Sequence, residues 1–258
     1  MISLPRVPDW LGLDGRRVVI AGGAGTLGAA LCAGFLGAAA RVVAVDRDES
    51  RLEDLPTATR DRLDASIVAD LGDPHECRRS VFEAHRALGG IDVFVHCVGI
   101  NDRRPLEAYR DEDWNAILAA NLSSAFWMLQ AVLPRMREAR HGRVVCFSSV
   151  AGRSGHKHHG PYAATKGALN QLIRVAANEY AGDGVTVNAV APGYMETALT
   201  SRYLAEAPGS RERLIGLIPA GRFGTLAEVV GPVLFLASHH ASFITGQVLY
   251  IDGGRSVV

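Results

Sequence analysis

Ser149, Tyr162 and Lys166 bring a hydroxyl, a phenol and an ammonium into one short stretch of the chain. Tyr162 and Lys166 are four residues apart, so on a helix they stand one turn apart on the same face. A free phenol titrates near pH ~10, and a neighbouring ammonium favours the phenolate and lowers that value. Ser149 closes the apolar run Arg143-Val144-Val145-Cys146-Phe147 and can approach from a strand tip. A trio of this kind can give a proton to a carbonyl oxygen or take one from an alcohol. Alone, a Tyr-x-x-x-Lys pair also fits an ordinary helix with a packed ring and a solvated ammonium, so the context must come from elsewhere in the chain.

That context begins near the N-terminus. Gly22-Gly23-Ala24-Gly25-Thr26-Leu27-Gly28 holds a G-x-G-x-x-G at Gly23, Gly25 and Gly28, between a strand-like run and a helical one. Absent Cβ atoms let the backbone approach a pyrophosphate, and the N–H groups of a helix N-terminus hold it. Asp46 lies 18 residues beyond Gly28, where an acid binds an adenosine ribose diol. Its charge repels a 2′-phosphate, which favours NAD over NADP; the neighbouring Arg47 argues the other way. Asp70 and Leu71 border the adenine in this reading, and Gly99 lets the chain pass close to the cofactor.

The elements that must position these groups alternate. Apolar strands are expected at 17–21, 41–45, 65–69, 91–96, 143–147, 185–190 and 248–251. Helices are expected at about 27–38, 74–88, 111–137 (broken near Pro134), from Tyr162 onward, and around 210–217 and 226–237. This pattern predicts one α/β domain over residues 1–258, a doubly wound Rossmann-like fold with about seven parallel strands and helices on both faces. Residues 1–15 read as an arm and 194–217 as a substrate lid. Ligands of such sheets bind at the strand carboxyl ends. Those ends carry the glycine turn, Asp46, Asp70, Gly99, Ser149 and Pro192-Gly193.

With 27 basic and 27 acidic residues among 258, the chain lacks the charge footprint of a nucleic-acid or membrane-surface protein. No apolar run is expected to approach the ~20 residues of a membrane span. Cys32, Cys77, Cys97 and Cys146 lack metal or disulfide spacing and read as small hydrophobes in the cytoplasm.

Taken together, these motifs resemble the short-chain dehydrogenase/reductase family in its single-domain form. The resemblance runs through the glycine turn, Asp70-Leu71, Asn121 in a long helix, Ser149 thirteen residues before Tyr162, Lys166, Pro192-Gly193 and Asp252-Gly253-Gly254. It implies Tyr162 as general acid/base, Lys166 as the cation that lowers the phenol's pKa and binds the nicotinamide ribose, and Ser149 as the clamp on the reacting oxygen. Asn121 is implied to support a water-linked relay behind Lys166. The backbone of Met195 and the hydroxyl of Thr197 are implied to meet the nicotinamide carboxamide, and apolar helices to build a homotetramer. The implied activity interconverts a secondary alcohol and a ketone with NAD. Two departures stand out: Ala21 and Thr26 alter the usual glycine turn, and His96-Cys97-Val98-Gly99 replaces the usual N-N-A-G, so the cofactor contacts of Cys97 and Val98 are less conventional.

Between Ser149 and Tyr162 lie His156, Lys157, His158 and His159. The stretch reads as a solvated loop at the site's mouth, with His156 the candidate substrate contact and no metal site. Arg103 and Arg104 likewise read as solvated, though either could pair with a carboxylate or phosphate. Two other functions remain open: an NAD-sensing regulator without turnover, and a lyase or epimerase on the same scaffold.

Overall fold

In the computed structural model, which describes residues 9–196 and 209–258, seven strands form one sheet. They are β1 (Arg17–Ala21), β2 (Arg41–Asp46), β3 (Ala65–Val68), β4 (Val93–His96), β5 (Gly142–Phe147), β6 (Val185–Pro192) and β7 (Val248–Ile251). Every neighbouring pair is parallel, in the order β3-β2-β1-β4-β5-β6-β7. The order reverses between β1 and β4, which opens a crevice at their carboxyl ends. The strands read as near-continuous Val-rich runs because both faces are covered: all six residues of β5 are buried.

Helices Pro74–Leu88, Ser124–Glu138 and Gly160–Tyr180 cover one face, and Thr26–Gly37 and Leu226–Ala237 cover the other. The described end of the expected arm joins the second layer, where Leu11 and Leu13 are buried. Between β2 and β3 the chain forms two short helices, Glu49–Glu53 and Thr57–Arg60, that the sequence pattern did not announce. Local capping starts the first, where Asp48 accepts from the Arg51 amide.

The long helical run differs from expectation in two respects. It does not break at Pro134, which sits inside Ser124–Glu138. Pro134 and the Gln130 carbonyl it deprives of a donor lie on the exposed side, where water can satisfy the oxygen. The irregularity comes earlier, as a π-helical turn over Ala119–Ser123. The Ser124 hydroxyl donates to the Ala120 carbonyl at 2.6 Å within it. In addition, Asp111–Glu138 is long and apolar enough, on length and composition, to cross a membrane, contrary to expectation. In this fold Ala125, Met128, Leu129, Val132 and Met136 pack into the core against the sheet.

Candidate active site

The glycine turn follows β1 and opens the Thr26–Gly37 helix, with Gly25 as its N-cap and no side chain capping it. Gly22 takes φ +82°, and a Cβ on Gly28 would run into the Gly22 carbonyl oxygen. A Cβ on Gly23 would press on Ala44 of β2 at 2.8 Å. The tight turn therefore requires glycine at these positions, and it leaves the helix N-terminus facing the crevice. Thr26 and Leu27 form the helix's first turn.

Asp46 ends β2 beside this turn. Its Oδ2 accepts from the Ala24 amide at 3.0 Å and its Oδ1 from the Asp48 amide at 3.3 Å. A cleft of about 560 Å³ runs from Gly22 and Gly25 past Asp46 and Asp70 to Gly99. Arg47, Leu71, Cys97 and Val98 also line it, as do Arg51 and Asp73, which the motif reading missed. Asp70 is held by an Asx turn onto the Gly72 amide, while Leu71 is buried in the core beneath. The glycine cradle, the uncapped helix and the ribose-side carboxylate fit a nicotinamide dinucleotide.

A second cleft of about 310 Å³ adjoins the first through Cys97, Val98, Gly99 and Ile100, and it contains Ser149, Tyr162 and Lys166. Leu27, Pro192, Gly193 and Met195 form its other wall. Thr197 lies outside the described residues, as does the 197–208 part of the expected lid.

The three chemical side chains converge. Ser149, at the exit of β5, stands beside the Tyr162 phenol in this cleft, and the Ala151 amide donates to the Ser149 hydroxyl at 3.2 Å. Lys166 is buried and donates from Nζ to the Phe147 carbonyl at 2.7 Å, with its charge 5.7 Å from the centre of the Tyr162 ring. Burial brings Lys166 down to about 8. The phenol departs from expectation: burial raises its pKa, and the Ser149 contact and the Arg103 charge only partly oppose that. The lowering expected from Lys166 is not what this arrangement provides, because its ammonium is committed to a backbone carbonyl and is itself partly neutralised by burial.

Asn121 sits inside the π-helical turn and is buried. Its Oδ1 accepts from the Ile100 amide at 2.7 Å, and its Nδ2 donates to the Ile100 carbonyl at 2.9 Å. Gly99 lies between Asn121 and Lys166: a Cβ there would come 3.4 Å from Asn121 Oδ1 and 3.4 Å from Lys166 Nζ. The unusual His96 ends β4 on the floor of this site, fully buried, with Nε2 2.9 Å from the Ser124 hydroxyl. Since that hydroxyl donates to Ala120, Nε2 carries the proton and donates to it. His96 thus ties β4 to the π-helical turn that presents Asn121. Burial, with the Lys166 charge adding to it, brings His96 down to about 3.

The histidine stretch is not a solvated loop throughout. His158 turns the chain at φ +66°, and His159, the N-cap of Gly160–Tyr180, is buried. His159 Nδ1 donates to the Lys157 carbonyl at 2.9 Å, and its ring lies 6.0 Å from that of Tyr162. His156 and His159 both line the second cleft, with ring centres 5.8 Å apart. No group of three metal-ligating side chains occurs among the described residues. Arg103 lines the cleft, whereas Arg104 pairs with Asp102 and, at 2.9 Å, with Asp113. His159 could have been suspected from its place just before the helix; no sequence signal pointed to Arg51.

Known proteins share this construction. A family model described as enoyl-(acyl carrier protein) reductase matches residues 22–256. The chain is 33% identical to a gluconate 5-dehydrogenase of Gluconobacter oxydans, over 97% of this chain and 98% of that protein. It is 34% identical to a 3-oxoacyl-[acyl-carrier-protein] reductase of Escherichia coli, over 96% of this chain and all of that protein. A solved gluconate 5-dehydrogenase from Burkholderia cenocepacia, in complex with NADP and tartrate, superposes with a TM-score of 0.88 at 35% identity, covering 95% of this chain and 96% of that one.

Proposed function

The chain belongs to the short-chain dehydrogenase/reductase family, and on that premise we propose that it interconverts a secondary alcohol and a ketone as a nicotinamide-dependent oxidoreductase. The observation that carries this reading is the meeting of Ser149, Tyr162 and Lys166 in a cleft continuous with the glycine cradle. When bound, the dinucleotide supplies or takes the hydride. Ser149 hydrogen-bonds the substrate oxygen and fixes it against the phenol. Tyr162, whose raised pKa keeps it protonated at neutral pH, gives its proton to the carbonyl oxygen during reduction. Lys166 restores that proton, because a value of about 8 leaves it able both to hold and to release one. Asn121 holds the Ile100 backbone and supports a relay behind Lys166.

The Asp46 carboxylate on the ribose side supports NAD as the preferred cofactor. Arg47 and Arg51 on the same rim, with the NADP complex of the Burkholderia relative, support NADP as the second reading. Met195 and Thr197 stay in the proposal as the carboxamide contacts, and 194–217 as the lid. A homotetramer is supported by exposed Trp114, Phe126 and Val175 on the Asp111–Glu138 and Gly160–Tyr180 helices, and light scattering reads the mass. The free cysteines fit a reducing cytoplasm.

A panel of secondary alcohols and ketones followed at the nicotinamide absorbance tests the activity. Replacing Tyr162→Phe should lower kcat by roughly 10²–10⁴-fold while dinucleotide binding, read by calorimetry, persists. Turnover undiminished in that variant would end the assignment of Tyr162. Calorimetry with both dinucleotides decides the cofactor: wild type should bind NAD more tightly, and Asp46→Ala should narrow the gap. Tighter binding of NADP by wild type would reverse the preference.

A further inference from the structure

Two imidazoles of the second cleft have no part in the proton step proposed for Tyr162. His156 and His159 line it together with Ser149 and Tyr162, their ring centres 5.8 Å apart. His159 is only 9% exposed, and its ring lies 6.0 Å from that of Tyr162. Its Nδ1 meets the Lys157 carbonyl at 2.9 Å, and since a carbonyl only accepts, Nδ1 carries the proton. In the neutral ring this leaves Nε2 as an acceptor. The Lys157 carbonyl is that ring's only hydrogen-bond partner among the described residues, so the acceptor is unused. Nε2 of His156 is buried and likewise has no partner among the described residues. Burial lowers the pKa of both rings and so favours their neutral forms. Polar atoms this secluded are rarely left unpaired, and two on one wall of a reaction site mark a place that a ligand completes.

We infer that His159, with His156 beside it, holds a hydroxyl on the carbon next to the reacting one, so that the substrate is an α-hydroxy ketone or the corresponding vicinal diol. This rests on the oxidoreductase reading of the Tyr162 site. A hydroxyl suits the pair because it is donor and acceptor at once: it donates to Nε2 of His159 and accepts from a protonated Nε2 of His156. A methyl group in its place does neither, and by excluding water it leaves both nitrogens unpaired. A carboxylate in its place has no proton to give His159. The closeness of the His159 and Tyr162 rings assigns the contact to a neighbouring carbon, not to the far end of a long substrate, because each oxygen must lie within hydrogen-bond reach of its own side chain. In reduction the reacting carbon gains a hydride from the reduced dinucleotide and its oxygen gains the Tyr162 proton, while the neighbouring hydroxyl keeps all its bonds. The two histidines thus select the substrate and orient it.

Isosteric ketones test the pair: 3-hydroxybutan-2-one against 3-methylbutan-2-one, and 2-hydroxycyclohexanone against 2-methylcyclohexanone. Each is followed by turnover with the reduced dinucleotide and by calorimetry with the oxidised one present. The hydroxy ketone of at least one pair should lead in kcat/KM and in affinity by about ten-fold or more, the scale of a buried hydrogen bond left unmade. His159→Phe and, separately, His156→Ala should bring that ratio toward one, with the loss in KM more than in kcat. His159→Gln, which retains an acceptor, should restore part of it. Because His156 is half-buried, His156→Ala carries the test if His159→Phe does not fold. A purely structural role for His159 would slow both ketones of a pair alike. A ratio unmoved in the variants, or a methyl ketone used as well as its hydroxy partner, therefore overturns the inference while leaving the oxidoreductase intact. Binding of a hydroxy ketone that depends on these histidines, without turnover of any ketone, keeps the hydroxyl site and removes the reaction. Neither binding nor turnover removes both.

Discussion

The floor and the mouth of the cleft are built on different physics. The floor is made by strand ends and helix interiors: His96, Asn121 and Lys166 are buried, and each is fixed by hydrogen bonds of 2.7–2.9 Å to backbone or to a neighbouring hydroxyl. The mouth is made by loops, which carry Arg103 and His156. Arg103 is exposed and His156 is half-buried. Rigid elements hold the groups proposed to handle the proton to the tolerance that such chemistry needs, while loops can vary without disturbing them. A change on the floor should therefore damage stability and catalysis together. One at the mouth should move selectivity with little effect on folding.

The largest effect expected is at the glycine cradle. Gly28→Val would drive a side chain into the Gly22 carbonyl and shift the turn. Dinucleotide affinity should fall by at least about 100-fold, with a stability loss of roughly 1–3 kcal/mol from overpacking; calorimetry and thermal unfolding read the two. A variant that binds the dinucleotide normally would show that the turn yields, and the claimed rigidity of the floor would fail.

His96 offers a pH test of intermediate size. Its folded value of about 3 lies below the ~6.5 of an unfolded histidine. Below pH ~6.5 the unfolded chain takes up a proton that the folded chain refuses, so stability from this group is lost as pH falls toward 3. The slope is up to about 1.4 kcal/mol per pH unit. Denaturant titrations at pH 7.5 and 5 should show a smaller drop for His96→Asn than for wild type. Equal drops would mean that His96 is not held neutral.

The smallest change is expected at Arg104, whose partners Asp102 and Asp113 lie near the surface. Arg104→Gln should cost below about 1 kcal/mol in unfolding experiments. A larger loss would place this loop with the floor and blur the contrast.

Much of the floor was readable from residue order. Glycines at 23, 25 and 28, an acid after β2, and Ser149 spaced thirteen residues from Tyr162 each reflect a local demand of a turn or a helix face. The alternation of apolar runs reports a sheet covered on both sides. Local spacing was less informative about the long helix: Pro134 looked like its break, yet exposure made the lost hydrogen bond tolerable. The real irregularity, at Ala119–Ser123, has no proline to mark it. The mouth was legible only in outline: His156 and Arg103 stood out, but they lie fifty-three residues apart and nothing in their spacing says that one cleft holds both.

By itself the sequence determined the spacing on which the proposed chemistry rests, since the Tyr162–Lys166 pair and the glycine turn each lie within a single turn of chain. The tertiary structure alone decided how those groups are poised. Burial raises Tyr162 and lowers Lys166, against the simple expectation from their proximity, because the packed interior penalises charge however close an opposite partner lies in sequence. It also decided that His96 serves the floor and that Arg103 and His156 line one cleft, through an arrangement that exists only once distant segments pack together.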